Sequence, residues 1–151
     1  MIDKNTAPTD EEARLNAALE LLHFGFRAIT AQPDRRLAER GYSRVHHRIL
    51  YFIGRHPRCS HKQLLDIMRV SRQYLHRPLR QLIDDGLVQA EADAQDRRIK
   101  RLSLTTDGAA FEEALTGEQR RQLAAVFAQA GTDAEQGWRR VMERLAGALL
   151  P

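Results

Sequence analysis

The chain has 151 residues, 42% of them hydrophobic and 29% charged, with 24 Lys+Arg against 20 Asp+Glu and a single cysteine. That length suits one domain with room for a real core, and one cysteine excludes an internal disulfide, which fits a reducing compartment. No apolar run approaches the roughly 20 residues of a membrane span, and Met1-Ile2-Asp3-Lys4 lacks the apolar stretch of a signal peptide. The expectation is therefore a cytoplasmic protein without membrane contact. Charge is unevenly spread. Arg35 to Arg101 holds sixteen Lys/Arg and seven Asp/Glu, net +9, whereas the remainder holds eight and thirteen, net −5. A basic middle between acidic ends points to one surface facing a polyanion, although an uneven solvated surface would read the same.

Thr9 and Glu12 stand at capping-box spacing, and Leu15, Leu19, Leu22, Phe26 and Ile29 follow at helical steps. Ala18 and Leu21 widen this stripe, and Pro33 is expected to end or kink the helix. A second helix is expected from Ser43 to about His56, with Val45, Ile49, Phe52 and Ile53 facing inward. Ser60 with Gln63 opens a short third helix, and Ser71 caps a fourth carrying Leu75, Leu79, Leu82 and Ile83. Gly86 sits where a left-handed C-terminal residue belongs.

The period then changes to two. Leu87–Glu91 and Ile99–Leu104 read as the strands of a two-stranded hairpin around the polar turn 92–98. Helix resumes near Thr106, with Thr116-Gly117 a point where it bends or breaks, and stops at Gly131. Thr132 with Glu135 is expected to cap a last helix whose apolar face is Trp138, Val141, Leu145 and Leu149.

Helices followed by a hairpin in this order make a winged helix. The stretch Ser60–Gly108 closely resembles the MarR family of bacterial transcriptional regulators. The matching residues are the helix pair around Val70-Ser71, the stop Asp84-Asp85-Gly86-Leu87-Val88, the wing Asp96-Arg97-Arg98, and Leu104-Thr105-Thr106-Asp107-Gly108. The resemblance implies a mainly α fold with a small β-hairpin wing, a winged helix-turn-helix flanked by N- and C-terminal dimerisation helices. The whole of 1–151 would be one such domain, with a DNA-binding lobe over 43–104 and a dimerisation lobe from 9–40 and 106–150. It also implies a homodimeric repressor that binds double-stranded operator DNA and leaves it on meeting a small aromatic or phenolic acid.

The residues support DNA binding independently. In a helix-turn-helix the second helix enters the major groove and its N-terminal residues reach base edges. Here that helix starts at Ser71 and turns Arg72, Gln73, Tyr74, His76, Arg77 and Arg80 outward, with no acidic residue between Arg72 and Ile83. Arg pairs with guanine and Gln with adenine in bidentate fashion. Pro78 lies inside this helix and is expected to bend it, which leaves open what reaches bases beyond Arg77. On the wing, Arg97 and Arg98 can meet a narrow minor groove. The resemblance gives that role to Arg98, with Asp96 orienting a neighbouring arginine.

An effector pocket, as the resemblance implies it, would draw on His23, Phe24, Arg27, His46, His47, Tyr51 and Phe111. Each histidine read alone also fits a hydrogen-bonded structural role. No cofactor is implied. His46 and His47 diverge by about 100° on a helix and no metal-ligand spacing occurs. Cys59 follows Arg58 near a helix start, a setting able to lower its pKa. It does not match the place of the reactive cysteine in the family's peroxide sensors, so a passive thiol is expected. No nucleophile elbow, P-loop or dinucleotide loop is present, so no enzyme is expected. The alternatives are a ligand-independent regulator and a winged helix that binds a protein instead of DNA.

Overall fold

A computed structural model describes residues 6–150. The elements run α1 (Asp10–Glu39), α2 (Arg44–Arg55), β1 (Cys59–Ser60), α3 (His61–Met68), α4 (Arg72–Asp84), β2 (Val88–Ala92), β3 (Lys100–Leu104), α5 (Thr106–Ala130) and α6 (Thr132–Ala146). The chain divides into two compact units, Met1–Ala31 and Gln32–Pro151.

In the first unit, α1 opens on the expected capping box. Thr9 N–H donates to Glu12 Oε2 at 2.7 Å and Glu12 N–H to Thr9 Oγ1 at 3.1 Å, so two orphan donors of the first turn are satisfied reciprocally. Leu15, Leu19, Leu22 and Phe26 along this helix are exposed.

The second unit holds one core. Ile49, Leu50 and Ile53 of α2, Leu64 of α3, Leu75 and Leu82 of α4 and Leu115 of α5 are wholly buried, and Leu37, Leu87, Val88 and Leu102 nearly so. Each such side chain contributes roughly 1.5–3 kcal/mol relative to an exposed one. Those on α2 and α4 are the apolar positions of their helices at steps of three and four, so the periodicity of the sequence chose the buried faces.

The sheet has three strands in the order β1-β3-β2, all antiparallel, where the hairpin alone was expected. The added strand pairs Cys59 with Leu102 and Ser60 with Arg101. Two residues are too short to show alternation, and their partners lie some forty positions away. β2 and β3 keep the hairpin register, from Val88 opposite Leu104 to Ala92 opposite Lys100.

Three local expectations are corrected. Pro33 does not end α1, which runs on to Glu39; the buried proline ring and the buried Leu37 hold the last turns, offsetting one lost backbone bond. Thr116 and Gly117 do not break α5; both are buried inside it, and the Thr116 hydroxyl bonds Glu112 one turn back at 2.7 Å. Thr132 does not cap α6: it is the first helical residue, Gly131 (φ 97°) occupies the cap, and Glu135 instead pairs with Arg139 at 2.9 Å.

Candidate nucleic-acid interface

The helix-turn-helix is built by local caps. Ser60 Oγ accepts from Gln63 N–H at 3.1 Å while Gln63 Oε1 accepts from Ser60 N–H at 2.8 Å, which starts α3. Arg69 ends it in the left-handed region (φ 56°), reversing the chain within the turn. Ser71 Oγ then accepts from Tyr74 N–H at 3.2 Å and starts α4.

Leu75, Leu79 and Leu82 fix the inner face of α4. The opposite face therefore presents Arg72, Gln73, Tyr74, His76, Arg77 and Arg80, all exposed as expected. α4 runs unbroken through Pro78, because core leucines anchor it on both sides of the proline. Arg80 lies one turn from Asp84 and pairs with it at 3.3 Å. Arg72 and Arg77 carry no ion pair among the described residues, so their guanidinium groups stand uncompensated. His61, at the start of α3, is held below the usual imidazole range by burial and then by the nearby charges of Arg72 and His76.

The wing is braced by carboxylates. Asp93 accepts from the backbone N–H groups of Gln95 at 3.1 Å and Asp96 at 3.0 Å, and from Arg101 Nε at 2.9 Å. The Arg101 bond, followed by those two backbone donors, keeps its carboxyl below the usual range. Arg101 also reaches Gln63 Oε1 at 3.4 Å, tying β3 to α3. Asp96 accepts from Arg98 three times, from its backbone N–H and Nε at Oδ1 and from Nη2 at Oδ2, each at 3.1 Å. The arginine that Asp96 orients is thus Arg98 itself, whose side chain is still 90% exposed. Arg97 is exposed and has no ion pair among the described residues.

Of the seven residues expected around an effector, three lie in the first unit and four in the second. His23, Phe24 and Arg27 lie in the first unit, exposed, with the His23 and Phe24 rings edge to face at 5.1 Å. In the second unit His46 is buried and bonds Gln81 of α4. His47 points instead to α5, its Nε2 at 3.0 Å from Thr116 Oγ1. The Thr116 proton goes to Glu112, so His47 donates, and Arg55 completes the chain by donating to Glu112 at 3.0 Å. Burial pushes the His47 imidazole below its usual range, with Glu112 opposing that shift. Tyr51 lies under the Arg55 guanidinium at 4.2 Å, and Phe111 under that of Arg40 at 4.4 Å. A surface hollow lined by Gln32, Arg35, Arg36 and Glu39 includes none of the expected residues.

Sequence reasoning missed Tyr42, Gln81, Asp93, Arg101 and Glu112, because each has a partner on another element or across the wing. Cys59 is buried in β1, and burial raises its pKa, an inert setting instead of an activated one. No described helix is long and apolar enough to cross a membrane.

This arrangement of three helices and a wing has known counterparts. A sequence model described as MarR family matches residues 40–99. The HTH-type transcriptional regulator PetP of Rhodobacter capsulatus is 40% identical over 137 residues, covering 91% of this chain and 81% of PetP. Among solved structures, the MarR family transcription regulator SP03579 superposes with a TM-score of 0.74 at 24% identity, covering 92% of each chain. MepR of S. aureus in its DNA-binding conformation gives 0.71 at 18% identity, over 88% of this chain and 98% of MepR. The structures agree in fold and PetP agrees in sequence over nearly the full length: the chain belongs to the MarR family of helix-turn-helix transcriptional regulators.

Proposed function

We propose that the chain acts as a homodimeric repressor whose α4 helices read two operator half-sites from the major groove while the wings contact the adjoining minor grooves. The observation that carries this reading is the outer face of α4, where Arg72, Gln73 and Arg77 follow directly on the Ser71 cap. They are exposed, and Arg72 and Arg77 lack any ion pair among the described residues. MepR has been solved on an oligodeoxyribonucleotide, which supports the same use of this fold. Base-reading residues belong at the N-terminal end of such a helix, and Arg and Gln are the side chains best suited to guanine and adenine. Arg98, held by Asp96, supplies the minor-groove cation. The exposed Leu19 and Leu22 of the first unit and the Val141 and Leu145 face of α6 are assigned to contact with a second copy, since apolar surface of this extent marks an interaction site. Release by a small aromatic acid rests on the family alone, because the fold already engages His46 and His47.

Fluorescence anisotropy tests the reading. The full chain is titrated onto a duplex from the DNA flanking its own gene and onto a scrambled duplex, across a salt series. Tight binding to the first alone, with affinity falling steeply as salt rises, is expected. No binding to either duplex even at low salt defeats the proposal and favours a protein-binding winged helix. Salicylate added to the bound duplex tests release.

A further inference from the structure

Two polar contacts join α2 and its entry turn to the C-terminal end of α4, beside the apolar packing. In the first, Ser43 N–H donates to His46 Nδ1 at 2.9 Å, with the Ser43 hydroxyl 3.2 Å from the same nitrogen. An amide N–H can only donate, so Nδ1 presents its lone pair and the ring proton sits on Nε2. That N–H then donates to Gln81 Oε1 at 2.9 Å. In the second, the Tyr42 hydroxyl donates to Asp85 Oδ2 at 2.6 Å, with the Tyr42 ring 4.8 Å from that of His46.

Leu75, Leu79 and Leu82 choose which face of α4 is buried, but apolar burial is non-directional and leaves the fine rotation of the helix within that choice to be set by directional contacts. A hydrogen bond does not, because it weakens steeply off line. His46 is 6% exposed, so water cannot substitute readily for the Gln81 partner. We propose that His46 is a positioning residue for DNA recognition: its Nε2–H bond to Gln81 sets the rotation of α4, and hence which side chains meet base edges. This rests on the reading of α4 as the recognition helix.

Two substitutions separate the two jobs of the ring. Asn at this position places an amide oxygen near the Nδ1 site, keeping the Ser43 cap, but ends short of Gln81. Gln places an amide nitrogen near the Nε2 site, keeping the Gln81 bond, and gives up the cap. The full chain selects a duplex from a random-sequence pool, and binding to that duplex and to its scrambled form is measured by anisotropy, beside thermal melting. For H46N, a melting loss no larger than that of H46Q and an unchanged salt slope are expected. Its preference for the selected duplex should fall about tenfold, the equivalent of one hydrogen bond. H46Q should melt earlier and keep its preference. Q81M, which removes the acceptor without touching the cap, should repeat the H46N loss and decides the matter if H46N does not fold. Native preference in H46N and Q81M, or a preference that simply tracks melting in all variants, overturns the inference. A wild-type chain that selects no sequence defeats the DNA-recognition reading, and this inference with it.

Discussion

Arg97 and Arg98 are adjacent, yet the structure gives them different situations: the Arg98 guanidinium is bound at two nitrogens by Asp96, and Arg97 is exposed without an ion pair among the described residues. A side chain held by a carboxylate has already lost much of its rotamer freedom, so less entropy is lost when it meets a phosphate-lined groove. R98A is therefore expected to weaken binding to matched and scrambled duplexes alike and to lower the salt slope by about 1. Anisotropy across a salt series checks this, and an unchanged slope would remove Arg98 from the interface. Gly108 is a residue of the opposite kind, needed for its lack of a side chain. A Cβ there would stand 1.9 Å from the Leu87 carbonyl oxygen, where the start of α5 crosses the chain entering β2. Thr105 closes the same junction through its hydroxyl bond to Gly86 O at 2.6 Å. G108A should cost roughly 1–3 kcal/mol through forced backbone movement, read as a lower urea midpoint at constant m.

Among elements, α2 is the one that faces two ways, with His46 toward α4 and His47 toward α5. Because burial holds the His47 imidazole below its unfolded value of about 6.5, the unfolded chain binds this proton first as pH falls. Its contribution to stability is complete above that value and is lost progressively below it. H47Q should therefore lose less stability than the wild type between pH 7 and pH 5; parallel melting curves would show that His47 is not the group responsible. None of this was legible in the sequence. The caps at Thr9, Ser60 and Ser71 were, since a cap and the N–H it accepts from lie within one turn. So was the wing, which needs only alternation and a polar turn. The strand at Cys59–Ser60, the Arg101 brace and the Gln81 bond were hidden because their partners are set by tertiary packing. Of the end or kink expected at Pro33, the end did not occur, for the same reason: a local penalty was outweighed by burial that local pattern does not display. The candidate site divides alike, with the outward residues of α4 readable from helical phase and their supports unreadable.

At the scale of the whole molecule, the described residues leave an unusual amount of apolar surface in water. Leu19 is 63% exposed in the first unit, and Val141 and Leu145 are 64% and 62% exposed on α6. These are the side chains assigned to a second copy. Deleting residues 132–151 removes one of the two faces and should leave monomers or aggregates that no longer retain a two-half-site duplex, as sedimentation and anisotropy would show. A truncated chain that remained an active dimer would place the contact elsewhere.

The only tryptophan of the sequence, Trp138, lies on this face, edge to face with Phe127 at 5.4 Å and 45% exposed. Its emission therefore has a narrow field of view. It should move to shorter wavelength if a second chain covers α6, and return on dilution. Trp138 thus offers an intrinsic optical gauge of the proposed assembly, beside a dye on the duplex that follows occupancy of DNA.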